Sequence, residues 1–193
     1  YEKIIQKFGE EGCHVQAAHW YSSLTGKGPS INSPSSEYVK LLFDRLAPTF
    51  EHTLVNHLEY RIPWTIQEEI QIMFPKTELE LRMLDLGCGT GLCGRLFKEH
   101  FPNSTIIGVD LSSEMVKLAL SKGGYTEVEV NHINAVLEKN QDKSFDFVVA
   151  ADTFIYVGQL ERCFSLVSNA LKEGGVFAFS VEYMTELSDA FKL

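Results

Sequence analysis

Nowhere in the 193 residues is there an apolar run of the roughly eighteen a membrane-spanning helix needs, nor a charged-then-apolar stretch of the kind that directs export. Both absences read as a chain working in the cytoplasm. Cysteine is sparse and scattered: Cys13, Cys88, Cys93 and Cys163 form no C-x-x-C pair. They read as reduced thiols, not as a disulfide framework or a zinc site, with Cys88 a small residue fitted to a tight turn. Basic residues are outnumbered, 17 Lys and Arg against 26 Asp and Glu, for a formal net charge of −9. Such a balance disfavours a phosphate-tracking groove, so nucleic acid is a poor first partner. The six histidines are dispersed. His52 and His57 stand five apart and share no α-helical face, so no metal site is assigned.

What is present is ordinary globular composition, 45% apolar and 22% charged, with length for one full core and an appended helical segment. Residues 1–26 read as helical pieces, and GKGPSINSPSS (26–36) as a loop. Ser33 reads as an N-cap with Pro34 at the first helical position. The next helix carries two stripes, Tyr38, Leu41, Leu42 and Arg45 on one, Val39, Phe43 and Leu46 on the other. A break at Pro48 restarts it through about Tyr60. A third helix opens at Pro63, with Ile66, Ile70 and Met73 on one face, and stops at Pro75.

After Glu80 the texture changes to short apolar runs alternating with helical ones. Strands are expected at 81–86, 104–111, 128–134, 145–152 and 176–183, with helices at 92–101, 113–124 and 159–175 and a short one after the third strand. That alternation predicts a doubly wound, Rossmann-like α/β fold with a mostly parallel sheet. The division expected is a helical segment over 1–75 and a ligand-binding domain over 76–193.

The first strand runs into LDLGCGTGLCG (84–94), which contains a G-x-G-x-x-G at Gly89, Gly91 and Gly94. The motif by itself suggests a dinucleotide, whose pyrophosphate would rest on loop N–H groups and a helix N-terminus. An overlapping D-x-G-x-G-x-G at Asp85, Gly87, Gly89 and Gly91 points elsewhere, since Asp85 would repel that anion. S-adenosylmethionine brings an ammonium, a sulfonium and one carboxylate, and Asp85 can attract its cations. Charge matching therefore favours S-adenosylmethionine, while NAD survives if Asp85 points away from the ligand. Asp110, about twenty residues on at the end of strand two, suits the two ribose hydroxyls that both ligands carry.

From Leu84 to about Val181 the segments DLGCGTG, GVDLSSEM, FDFVVAAD and LKEGGVFAFS resemble the class I S-adenosylmethionine-dependent methyltransferases. Upstream, SSLTGKGPSINSPSSEYVKLLFDRLAPTFEHTLVNHLEYRIPW resembles the methyltransferases that carry tetratricopeptide repeats, although no 34-residue period is visible. FDRLAPTFEHT is also similar to the start of the biotin-pathway enzymes that methylate malonyl-carrier protein. The resemblance implies a cofactor-binding set of Asp85, Leu86, Gly87, Cys88, Gly89, Gly91, Asp110, Leu111 and Met115. It adds Asn134 and Ala135 after strand three, where the family usually has an acid that takes the adenine amine. The carbonyl oxygen of Asn134 can accept in its place. The family also adds an antiparallel hairpin after the fifth strand, and its absence here leads us to expect truncation or disorder.

Ala150 and Ala151 keep the backbone close to the methionine part of the cofactor. Asp152, Tyr156, Glu182 and Tyr183 are then nearest the reacting methyl, with Asp152 and Tyr156 the catalytic candidates. The helices over 38–64 are expected to form a lid that selects substrate, with Phe50 reaching the cofactor. The function expected is methyl transfer to a small or carrier-bound acceptor. A non-catalytic module that binds S-adenosylmethionine and assembles a partner protein is the alternative.

Overall fold

The computed structural model describes residues 34–182 together with His19, Tyr21, Ser22 and Thr25, four residues that are helical. The remaining expectations for 1–33, and the expectation of truncation or disorder after the fifth strand, lie outside the described residues. Five short strands form one sheet: β1 (Arg82–Leu86), β2 (Thr105–Asp110), β3 (Glu127–Val130), β4 (Phe145–Ala150) and β5 (Leu171–Phe179). All pairings are parallel, in the order β3-β2-β1-β4-β5. The helices are α1 (Ser36–Leu46), α2 (Phe50–His52, prolonged by π-helical turns over Thr53–His57) and α3 (Ile62–Met73). Between the strands run α4 (Leu92–His100), α5 (Ser113–Lys122), α6 (Ile133–Lys139) and α7 (Leu160–Ala170).

Successive side chains of a strand point to opposite faces, so each inner strand feeds two cores. Leu84, Leu86, Val109 and Val148 pack against α6 and α7 through Ile133, Leu137, Cys163 and Val167. Met83, Ile106, Phe147 and Val149 pack on the other face against α3 and α4 through Ile66, Ile70, Leu96 and Phe97. The direction in which successive strands are added reverses across the β1–β4 junction, where the sheet opens a crevice at the carboxyl ends of its strands.

Several element edges differ from the sequence reading. Ser35, not Ser33, caps α1 by accepting from the Tyr38 N–H at 3.2 Å, so Pro34 precedes the helix. β3 ends at Val130 because His132 turns the chain into α6, its Nδ1 accepting from the Asn134 N–H. α7 ends at Ala170, five residues short of the expected stop. Leu171 already pairs with Phe145, and the KEGG stretch bulges out before Val176 pairs with Phe147. Gly174, at φ +76°, makes that bulge possible. Met73 turns to solvent while Ile66 and Ile70 hold the core. His52 and His57 do share a face: the π-helical turns bring residues five apart into register, and the rings meet edge-on at 5.1 Å.

α4 seats on the sheet through a close approach at Gly94. A Cβ there would fall 2.2 Å from Tyr125 Cζ. Alanine is otherwise the better helix former by about 1 kcal/mol, so its effect at 94 isolates the contact. Gly94→Ala should destabilise the fold by about 1–3 kcal/mol in urea unfolding. In a Tyr125→Ala background the same change should be neutral or stabilising; an equal loss in both backgrounds would refute the contact.

Candidate functional site

The crevice is a cleft of about 540 Å³ built on the ends of β1, β2 and β4 and roofed by α1 and α2. Asp85, the fourth residue of β1, lines it and is 1% exposed. The Tyr125 hydroxyl donates to Asp85 Oδ2 at 2.6 Å and accepts from the Gly94 N–H at 3.1 Å. Burial raises the Asp85 carboxyl to about 7, the Tyr125 bond opposing this and the Asp110 charge adding to it.

The glycine loop departs from the expectation of bare N–H groups facing the ligand. The N–H groups of Gly87 and Cys88 both donate to Val109 O, at 2.8 and 3.0 Å, and that of Gly89 to Asp110 Oδ2 at 2.9 Å. The loop is folded back onto β2. Gly87 is required twice over: its φ is +75°, and a Cβ would lie 2.4 Å from Thr153 Oγ1. Thr153 itself donates to Leu86 O at 2.7 Å, tying the exit of β4 to the end of β1. The Cys88 thiol, pushed up by burial and then by Asp85, stays protonated.

Asp110 lines the cleft with both oxygens engaged, Oδ1 accepting from the Ser112 N–H at 2.8 Å. Each oxygen keeps a second lone pair for a ligand hydroxyl. Beyond β3, Asn134 lines the cleft with its Oδ1 buried and without a hydrogen-bond partner among the described residues. An acceptor left so is costly unless a donor arrives, and an adenine amine is such a donor.

Asp152 leaves β4 in a left-handed conformation, φ +51°, which aspartate tolerates better than most residues. Its N–H donates to Ser180 Oγ at 2.7 Å and Ser180 Oγ–H donates to its Oδ1. Tyr60 and Tyr156 stand beside it in the cleft wall. Burial and then the Asp152 charge push the Tyr60 phenol up; burial, then Tyr38 and Asp152, do the same for Tyr156. Phe50 also lies in the wall, its ring edge-on to Phe43 at 5.6 Å and 3.8 Å from where a Cβ on Gly89 would stand. Val39 and Phe43 complete the roof, and Phe43 meets Tyr156 at 5.0 Å.

Two acids hold the roof down. Asp44 Oδ1 accepts from Ser112 Oγ at 2.6 Å, at the start of α5. Glu51 accepts from Thr90 Oγ1 at 2.8 Å and pairs with Lys122. Burial raises the Glu51 carboxyl, but its contacts with Lys122 and Thr90 outweigh that and leave it lowered.

Of the residues singled out from sequence, Asp85, Gly87, Cys88, Gly89, Asp110, Leu111, Asn134, Ala151, Phe50, Asp152, Tyr156 and Glu182 are brought to the cleft. Leu86, Gly91, Met115 and Ala135 are not part of its lining. Leu86 points into the α6–α7 core. Met115 is fully buried, its N–H bound to the Ser112 cap. Gly91 faces Ala119 and Tyr125, and Ala135 is turned from Asn134 by one helical step. Tyr183 lies outside the described residues. Sequence reasoning missed Tyr125, Thr153, Tyr60, Asp44 and Glu51; the only signal for Tyr125 is its place directly after the glycines that end α5.

Residues 78–192 match the methyltransferase domain family. The chain belongs to that family. It is 32% identical over 114 residues to a malonyl-[acyl-carrier protein] O-methyltransferase of Ilyobacter polytropus, covering 58% of this chain and 44% of that one. It is 30% identical over 149 residues to a probable S-adenosylmethionine-dependent methyltransferase of Saccharomyces cerevisiae, covering 75% and 50%. Among solved structures, an S-adenosylmethionine-dependent methyltransferase from Clostridium acetobutylicum superposes with TM-score 0.53 at 28% identity, over 68% of this chain and 56% of that one. The chain thus spans about half the length of the curated relatives it matches. Its fold is that of the class I S-adenosylmethionine-dependent methyltransferases.

The raised Asp85 carboxyl makes stability depend on pH. Between the unfolded value near 4 and the folded value of about 7, the native state holds a proton that the unfolded chain has lost. Stability is therefore greatest at the acid end of that window and falls as pH rises through it, by a few kcal/mol in order of magnitude. Asp110, also raised, acts in the same sense, while His132, lowered by burial, opposes it as pH falls below 6.5. Urea unfolding from pH 5 to 7.5 should show the decline, and Asp85→Asn should remove most of it; an unchanged slope would refute it.

Proposed function

We propose that the chain is an active S-adenosylmethionine-dependent methyltransferase acting on a small organic acceptor, with α1 and α2 serving as the lid of its cleft. The observation that carries this reading is the charge of the cleft floor. A buried carboxylate, Asp85, faces the ligand space, and three loop N–H groups that a pyrophosphate would require are bound to β2. A dinucleotide would meet an acid where it needs donors, whereas a cationic ligand meets its complement. Asp85 would hold the ammonium end, Asp110 the ribose diol, and Asn134 Oδ1 the adenine amine. The relatives named as S-adenosylmethionine-dependent methyltransferases support the same cofactor.

The cofactor, once bound, supplies an electrophilic methyl group whose bond to sulfur breaks as the acceptor bond forms. The protein's task is to align the acceptor and exclude water, which in ideal cases lowers a barrier by roughly 7–11 kcal/mol. Asp152, fixed by Ser180, would take a proton from the acceptor. The aromatic roof of Phe43 and Phe50 excludes water from the same space.

Isothermal titration tests the cofactor reading. S-adenosylhomocysteine should bind and NAD should not; equal or tighter NAD binding would overturn it. Asn134→Ala should weaken S-adenosylhomocysteine about two- to tenfold and S-inosylhomocysteine, which lacks the amine, much less. Hydrogen exchange tests the lid: amides of 36–58 should gain protection when S-adenosylhomocysteine binds, and Asp44→Asn with Glu51→Gln should reduce that gain. Protection confined to the glycine loop and strand ends would make these helices plain scaffold.

A further inference from the structure

The half of the cleft at the exit of β4 carries a charge pattern that selects among acceptors. Asp152 and Glu182 both line it, as do Tyr60 and Tyr156. All four line one cleft, and Asp152 bonds to the Tyr60 hydroxyl. Among the described residues no Lys or Arg lines the cleft, and burial holds His132, its remaining basic side chain, toward the neutral form. Arg95 and Lys122 are engaged by Glu51 of α2 and do not line the cleft.

Resting on the methyltransferase reading, we propose that the methyl acceptor carries a protonated amine, held between the carboxylates of Asp152 and Glu182 and the rings of Tyr60 and Tyr156. A carboxylate or phosphate head would be repelled by two acids with no cation in the lining to receive it. An ammonium gains from both carboxylates and from the faces of the tyrosine rings. Ser180 donates to Asp152 Oδ1 and the Tyr60 hydroxyl also bonds to the Asp152 carboxylate, whose remaining lone pairs can accept the incoming N–H. The ammonium has no free electron pair, so it must lose a proton before it can react. Asp152 is the base: its carboxylate takes one N–H proton and becomes the acid, and the neutral amine keeps the electron pair of the broken bond. Val39, Phe43, Leu54 and Ile155 line the remainder and suit an apolar or aromatic body.

This acceptor class differs from the malonyl group named for the Ilyobacter polytropus relative, which bears a carboxylate. The test uses phenethylamine and 3-phenylpropionate, probes of like shape and opposite head charge. Binding is measured by titration on the 193-residue protein saturated with S-adenosylhomocysteine, at pH 7.5. The amine should bind at least tenfold tighter than the acid. Asp152→Asn with Glu182→Gln, two exposed positions whose change spares the core, should bring the two within about twofold. Equal binding, tighter binding of the acid, or binding of neither overturns the amine assignment. Failure of S-adenosylhomocysteine to bind in the first step is a separate result, and it removes the cofactor reading beneath the proposal.

Discussion

The hydrogen bond from Tyr125 to Asp85 sits where the sheet, α4 and the cleft meet. A carboxyl taken fully out of water costs several kcal/mol unless its lone pairs find donors. Tyr125 supplies the donor, and the rest of its ring dictates the surrounding sequence. Gly94 lets α4 pass over the ring, and a Cβ on Gly108 would lie 3.0 Å from both the ring and the Cys88 sulfur. Gly108 is also the residue of β2 that pairs with Asp85 on β1. Two of the glycines near the ligand loop therefore make room for a tyrosine, which in turn holds the buried acid.

The same letters, G-x-G-x-x-G, serve two kinds of ligand in different proteins, and here the backbone hydrogen bonds separate them. Val109 O receives two loop N–H groups and Asp110 a third. Asp110 thus fastens the loop as well as lining the cleft, so losing it would disturb the turn and the cleft wall together. The roof uses the same economy of acids: Asp44 engages the N-cap of α5 through Ser112, and Glu51 reaches Thr90 in the loop itself. Movement of α1 or α2 is coupled through these bonds to the residues that line the floor.

The strands were legible because each inner one is a short apolar run buried on both faces, and the glycine loop because its spacing is local. Asp85, Asp110 and Asp152 were legible because a parallel sheet delivers the ends of β1, β2 and β4 to one edge. What sequence could not show is contact across long separations. Tyr125 stands 40 residues from Asp85 and Glu51 stands 39 from Thr90. The end of α7 was misplaced because LKEGG reads as a helix with its glycine stop, while pairing of Leu171 with Phe145 recruits the segment into β5. His52 and His57 were kept apart by assuming α-helical turns, which the π-helical winding of 53–57 does not obey.

The excess of acid over base in the composition takes on a local meaning in the fold. Ion pairs consume bases away from the cleft: Lys122 and Arg95 on Glu51, Lys172 on Asp146, Lys139 on Glu129, Arg162 on Glu138. Among the described residues, the acids of the cleft are left without such partners. In a water-poor site an uncompensated carboxyl keeps its proton to higher pH, as Asp85 does at about 7. A ligand cation seated beside it competes with that proton and favours the charged form. Near neutral pH the two therefore exchange, and binding a cation should release a fraction of a proton from the floor of the cleft. The acid that is costly to bury in the free protein is thereby the group that gains most when a cationic ligand arrives.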